Sequence, residues 1–115
     1  MHKNKNIIHA TNNAINGIKI LFKESSVKRE LFVILTSIVL FMYYKNYYTL
    51  TLLILSFLLI AIESLNTAIE IICDHLTLEI HPEIKKIKDL GAAAVFIISC
   101  LVCALFIYCI FLALS

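Results

Sequence analysis

Residues 46–74 read NYYTLTLLILSFLLIAIESLNTAIEIICD, and the fold turns on how this stretch stays apolar while admitting acids. Asn46 to Ile62 contains no charged side chain. At about 1.5 Å per helical residue that run falls short of a hydrocarbon core about 30 Å thick. It reaches far enough only by continuing through Glu63, Asn66 and Glu70 to Ile72, so a membrane helix over about 47–72 is predicted to carry acids within it. Glu63, Asn66, Glu70 and Asp74 follow one another at i, i+3, i+7 and i+11, which places them within roughly 80° of one helix face. A charge near hydrocarbon costs at least about 2.5 kcal/mol, so such residues turn to a cavity, a partner or an ion. A solvated helix end would account for Glu70 and Asp74 but not for the deeper Glu63 and Asn66. A carboxylate held there is a usable general base near neutral pH.

The rest of the chain agrees with a membrane setting. Of its 115 residues 61% are hydrophobic, where a soluble domain has about 45–50%, and the mean hydropathy is +0.92. Charged residues make up 16%, and with two glycines and one proline the chain is neither disordered nor a turn-rich β sandwich. Leu90 to Leu114 is uncharged and long enough to cross, giving a span over about 90–114. Leu31 to Tyr44 is shorter, so that span is expected to start near Val27, over about 27–44, with Lys28, Arg29 and Glu30 reaching the headgroups. Ahead of it, Ile7, Ile8, Thr11, Ala14, Ile15, Ile18, Leu21 and Phe22 recur at helical spacing, opposite Asn12, Asn13, Asn16, Lys19 and Lys23. This predicts an amphipathic surface helix over about 6–23. The expected architecture is all-α: one domain over residues 1–115, a surface helix and three spans. No cleavable signal peptide is expected, since an apolar core and small-residue cleavage site are missing from the first turns.

Lysine and arginine set the orientation. Lys3, Lys5, Lys19, Lys23, Lys28 and Arg29 precede the first span, Lys45 alone follows it, and Lys85, Lys86 and Lys88 precede the last. The N-terminus and the second loop are therefore expected in the cytoplasm and the C-terminus outside. Tyr43, Tyr44, Tyr47 and Tyr48 suit the outer interface. Pro82 after His81 suits the first turn of the last helix, where its missing N–H costs nothing. Glu24, Glu30, Glu79, His81, Lys88 and Asp89 gather at the cytoplasmic level, and carboxylates with a lysine at a water interface can hold Mg²⁺ and a polyphosphate.

Other classes fit less well. A net charge of +2, with its basic residues dispersed, is no nucleic-acid footprint. A Walker loop cannot be built around Gly17 and Gly91. Cys100 and Cys103 form a C-x-x-C inside an uncharged helix, where they read as small apolar groups, while Cys73 and Cys109 have no partner signal. His2, His9 and His75 lack ligand spacing. One chain of three spans has too little surface to enclose the acidic stripe, so a homo-oligomer is expected.

The run from Glu63 through Asn66 and Glu70 to Asp74 resembles the signature E-x-x-N-[ST]-A-[LIV]-E-x-x-V-D of the small integral-membrane prokaryotic diacylglycerol kinases. Glu79-Ile80-His81, followed by Lys88-Asp89-Leu90-Gly91-Ala92-Ala93-Ala94-Val95, resembles their second block. The resemblance covers nearly the whole chain and implies a homotrimer of three-span subunits in the bacterial inner membrane. It implies transfer of the ATP γ-phosphate to the primary hydroxyl of 1,2-diacylglycerol, giving phosphatidic acid. On this pattern Glu63 would be the general base, with Asn66 and Ala92 beside the lipid substrate. Glu24 and Glu70 would hold Mg²⁺, Glu30 being the rival to Glu24. Glu24, Glu70, Glu79, Ile80, His81, Lys88 and Asp89 would form the ATP site. The chain departs from the pattern at Cys73, where valine is usual, and at Lys5 and Asn6, where an arginine often stands.

A kinase for undecaprenol shares the same carboxylates, but the run Gly91 to Val95 looks more like the diacylglycerol branch. A small proton-coupled transporter would carry its glutamate in the first of four spans and has no use for the acids and lysine around Glu70. A purely structural subunit would keep full activity after loss of the stripe.

Overall fold

The computed structural model describes residues 6–76 and 81–115. They form four helices and no strand: α1 (Asn6–Leu21), α2 (Ser25–Tyr44), α3 (Tyr47–Leu76) and α4 (Pro82–Leu114). With 30 and 33 residues, α3 and α4 are long and apolar enough to cross a membrane. The 20-residue α2 is shorter and carries Lys28, Arg29 and Glu30 in its first two turns. Both long helices outrun their expected spans, since α3 continues to Leu76 and α4 begins at Pro82. Asp74, Lys88 and Asp89 consequently sit on helices beyond the predicted spans.

The bundle is organised by a seam on α3. Its buried residues are Thr49, Leu52, Ser56, Leu59, Asn66 and Cys73. They follow an alternating three-and-four spacing that leaves two slots, and these are filled by Glu63 and Glu70. Facing it, α2 buries Val27, Glu30, Ile34 and Ser37, and α4 buries Gly91, Ile98, Val102 and Cys109 at the same spacing. A period of 3.5 keeps one stripe of each helix turned toward its neighbours along the whole contact. α3 packs on both α2 and α4. The core proper is Leu52, Leu59, Ile98, Val102 and Cys109, flanked by Val33, Leu40, Leu55, Ile62, Leu105 and Phe106. Serine, glycine and cysteine recur in the seam because small side chains let helices approach without help from the hydrophobic effect, which is lost among lipid tails.

Two polar devices fix the end of the bundle remote from Glu63. Ser37 and Ser56, both wholly buried, share a hydrogen bond of 2.9 Å between their hydroxyls. At the α2–α3 turn Lys45 takes the left-handed conformation and donates its N–H to the Phe41 carbonyl. Asn46 then caps α3: its Oδ1 accepts from the Thr49 N–H at 2.9 Å, and Thr49 Oγ1 accepts from the Asn46 N–H at 3.2 Å. This reciprocal arrangement satisfies donors that the first turn leaves free.

Outside the seam the surface is apolar. Phe32, Val39, Phe96, Ile97, Ile107 and Phe111 are all more than 60% exposed, far beyond what a water-facing surface tolerates in one contiguous belt. In α1 only Leu21 is buried, leaving Ile7, Ile8, Ile15 and Ile18 on an unpartnered face.

The serine pair yields a test. Ser56→Leu forces a larger side chain into a filled seam and is expected to cost about 1–3 kcal/mol. Ser56→Ala should cost only about 0.6 kcal/mol, the typical worth of one hydrogen bond between membrane helices, because Ser37 keeps its bond to the Val33 carbonyl. Unfolding midpoints in detergent micelles give the ranking, and equal losses would reject it.

Candidate active site

The Glu63 slot of the seam opens onto a groove that all three long helices line. Ser26, Arg29 and Glu30 of α2, Glu63 and Asn66 of α3 and Ala92 of α4 line its polar end. Val33, Leu59, Val95, Ser99, Val102 and Cys103 continue it as a mostly apolar trough, for a volume of about 470 Å³. A hydroxyl on a long apolar body is the kind of molecule such a groove accepts, with its oxygen at the carboxylate end. Helix periodicity builds the polar end: Ser26, Arg29, Glu30 and Val33 recur at intervals of three and four on α2, opposite Leu59, Glu63 and Asn66 on α3.

Glu63 is half-buried, and its Oε1 accepts a hydrogen bond of 3.2 Å from Ser26 Oγ. One turn on, Asn66 is buried, and its Nδ2 donates to Glu70 Oε1 at 3.5 Å. Asn66 Oδ1 is buried without a partner, as is Glu30 Oε2. An unpaired buried acceptor costs about 1–3 kcal/mol, more if charged, so these two oxygens mark a place built for something other than stability. Gly91 makes the Asn66 position possible. A Cβ there would collide with Asn66 Oδ1 and stand 3.3 Å from its Cγ, so only glycine lets α4 approach the amide this closely.

Toward the end of α3 the environment turns to water. Glu70 and Asp74 are exposed, and Asp74 lies one position past the seam residue Cys73, outside the interior stripe. Its Oδ1 accepts from Lys88 Nζ at 2.7 Å, joining α3 to α4. That bond holds the Lys88 pKa above its ordinary value, so the ammonium stays charged through the neutral range. Asp89 is taken up by Lys85 on its own helix at 2.7 Å. Both pairs are exposed, worth about 0–1 kcal/mol, and free to exchange partners with an incoming anion. His81 is the N-cap of α4, its Nδ1 accepting from the Glu83 N–H at 3.2 Å, with Pro82 following. Glu24 is the N-cap of α2 yet makes no side-chain capping bond. Glu79 and Ile80, also expected at a nucleotide site, lie outside the described residues.

Among the described residues no three His, Cys, Asp or Glu side chains converge as a metal cage. Mg²⁺ does not require one, since it is ordinarily held by one or two carboxylates together with substrate phosphates and water. The donors here are hard oxygens, and with Glu70 facing water, Glu24 uncapped and Asn66 Oδ1 unpaired, the residues fit such an ion.

Ser26, Arg29 and Ser99 escaped the sequence reading, which had drawn Arg29 only toward the headgroups. The signal for Ser26 and Arg29 was the shared face with Glu30 on α2, legible only once that face is known to meet Glu63, and Ser99 on α4 carried none. The Gly91 contact can be tested by stability alone. Gly91→Ala is expected to cost about 1–3 kcal/mol by overpacking, and much less in an Asn66→Ala background, where the colliding amide is gone. Equal losses of unfolding midpoint in the two backgrounds would reject the contact.

Comparison with known proteins bears on the same residues. The chain matches the prokaryotic diacylglycerol kinase family over residues 12–112, which takes in the groove, the Glu63–Asp74 run and the ion pairs. A curated diacylglycerol kinase of Haemophilus influenzae is 35% identical over 99 residues, covering 84% of this chain and 84% of that protein. With a match that includes both lips of the groove, the chain belongs to the prokaryotic diacylglycerol kinase family.

Proposed function

We propose that the protein transfers the γ-phosphoryl group of ATP to the primary hydroxyl of 1,2-diacylglycerol, giving phosphatidic acid and ADP, at the boundary of membrane and cytoplasm. The observation that carries this reading is the order of groups along one face of α3. Glu63 lies at the head of an apolar trough, Asn66 one turn on, and Glu70 in the water-facing end. A lipid hydroxyl comes from the bilayer and a nucleotide from water, so the base must be the deepest group and the phosphate-facing groups shallower.

In this reading the acyl chains lie along Val33, Val95 and Val102 and bring the hydroxyl to Glu63, which takes its proton as the oxygen attacks phosphorus. Asn66 is held by Gly91 and Glu70 beside the reacting oxygen, with Oδ1 ready to accept a hydrogen bond. Lys88 leaves Asp74 to meet phosphate oxygens as a point charge, while Asp89 and His81 border the nucleotide, together with Glu79 and Ile80. Ala92 lines the lip nearest the lipid headgroup. Glu70 and Glu24, with Glu30 the rival of Glu24, would hold Mg²⁺, whose part is to offset the charge of the transferring phosphate. Glu30 is the buried member of that pair, enclosed in the groove with Glu63, which favours Glu24 as the ligand.

The same reading makes α2 the third span, its charged first turns at the cytoplasmic headgroups, with α1 lying on that surface by its apolar face. The N-terminus is then cytoplasmic and the C-terminus outside, in the bacterial inner membrane. Three copies would close the open face of the groove against lipid.

Phosphate transfer from γ-labelled ATP in mixed micelles, with 1,2-dioleoylglycerol and undecaprenol offered side by side, tests the reaction. Label is expected in phosphatidic acid. Glu63→Gln should lose about 10²–10⁴-fold in turnover while still binding Mg·ATP, and unchanged turnover would overturn the base. Label chiefly in the polyprenyl phosphate would move the substrate to the other branch. Glu70→Gln is expected to require more Mg²⁺ for half-maximal rate; a wild-type titration curve would remove it as ligand.

A further inference from the structure

The Ser26 hydroxyl makes no bond to its own helix, in contrast to four other hydroxyls of α2 and α3. Thr36, Ser37, Thr51 and Ser56 each donate to the carbonyl four residues earlier, a local use of the proton. Four residues before Ser26 stands Phe22, in the turn that precedes α2, so the local option is not offered. Ser26 Oγ crosses to α3 and donates to Glu63 Oε1 at 3.2 Å, a contact between residues 37 positions apart.

The Glu63 side chain has three rotatable bonds, and a second carboxyl, that of Glu30, stands beside it across the α2–α3 contact. Arg29, on the same lip, is exposed and drawn toward water. Ser26 is the hydroxyl that donates to Glu63. A serine hydroxyl has a single proton, whereas a carboxylate offers about four lone-pair sites, so this bond fixes the carboxylate and leaves acceptor capacity for a second hydroxyl.

We propose that Ser26 is a positioning residue for phosphoryl transfer, anchoring the Glu63 carboxylate by Oε1 in the orientation that receives the proton of the lipid hydroxyl. It rests on the reading of Glu63 as the base and adds a residue that the Glu63–Asp74 run does not contain. Ser26 acts through Glu63 alone, so its loss costs less than loss of the base and falls on kcat. Nucleotide affinity, set by groups at the other end of α3 and on α4, stays as it is.

A double-mutant cycle decides it: wild type, Ser26→Ala, Glu63→Gln and both together, with Ser26→Thr as the conservative variant, each checked for an ordinary unfolding midpoint in detergent. Ser26→Ala is expected to lower kcat about tenfold with KM for Mg·ATP changed less than about twofold. Ser26→Thr, which keeps the hydroxyl, should recover most of that loss. In the Glu63→Gln background Ser26→Ala should add less than about a twofold change, because the group it positions is gone. An equal loss in both backgrounds, a threonine variant no better than alanine, or an unaltered kcat in Ser26→Ala would each overturn the proposal. Full activity in Glu63→Gln alone would overturn the base assignment itself, and the proposal with it.

Discussion

The 3.5-residue seam of α3 is the constraint on which the molecule depends. It runs from Thr49 to Cys73, and whatever occupies its slots is brought against α2, α4 or both. In the half near the α2–α3 turn the slots hold Leu52, Ser56 and Leu59, which fill space and close on small or apolar partners. In the other half the same geometry brings Glu63 and Asn66 into the contact region and leaves Glu70 at its water-facing edge. Packing and chemistry are therefore two ends of one periodic stripe, and the transition between them takes a single turn, from Leu59 to Glu63.

Polar groups are treated differently at the two ends. Ser37 and Ser56 share their two protons among each other and the Val33 and Leu52 carbonyls, and Asn46 and Thr49 cap each other. At the groove, Asn66 Oδ1 and Glu30 Oε2 are buried and unpaired. In a low-dielectric setting a half-satisfied polar network is costly, and proteins keep such costs where a reaction uses them. Gly91 belongs to the same economy of space: its hydrogen in place of a methyl admits the Asn66 amide into a helix contact that would otherwise exclude it.

Beyond Glu70 the rules change with the solvent. The pairs Lys88–Asp74 and Lys85–Asp89 are short but exposed, and screening by water makes them exchangeable where a buried pair would be fixed. A polyphosphate could displace either carboxylate from its lysine at small cost. The site thus grades from a half-buried carboxylate to exposed, loosely committed charges along α3, the order that the proposed lipid and nucleotide substrates would require.

The all-helical character, the two longest helices, the start of α4 at Pro82 and the placing of Glu63, Asn66 and Glu70 on one face were legible in the sequence, because hydropathy and the helical period are local properties of the chain. The family was legible too, in the Glu63–Asp74 run. Other features were not. Asp74 shares the calculated face yet leaves the interior, since a 3.5-residue seam rotates away from a straight 80° stripe and passes through Cys73 instead. Lys88 and Asp89 are expected at the nucleotide site, and their ion pairs with Asp74 and Lys85 had no signal in the sequence. Ser26 carried no motif, and its tie to Glu63 follows from the register in which α2 meets α3. The sequence by itself determined which residues each helix would turn inward; only the tertiary structure decided which inward residues meet, because that depends on contacts between positions far apart in the chain, such as Ser26 with Glu63 and Gly91 with Asn66.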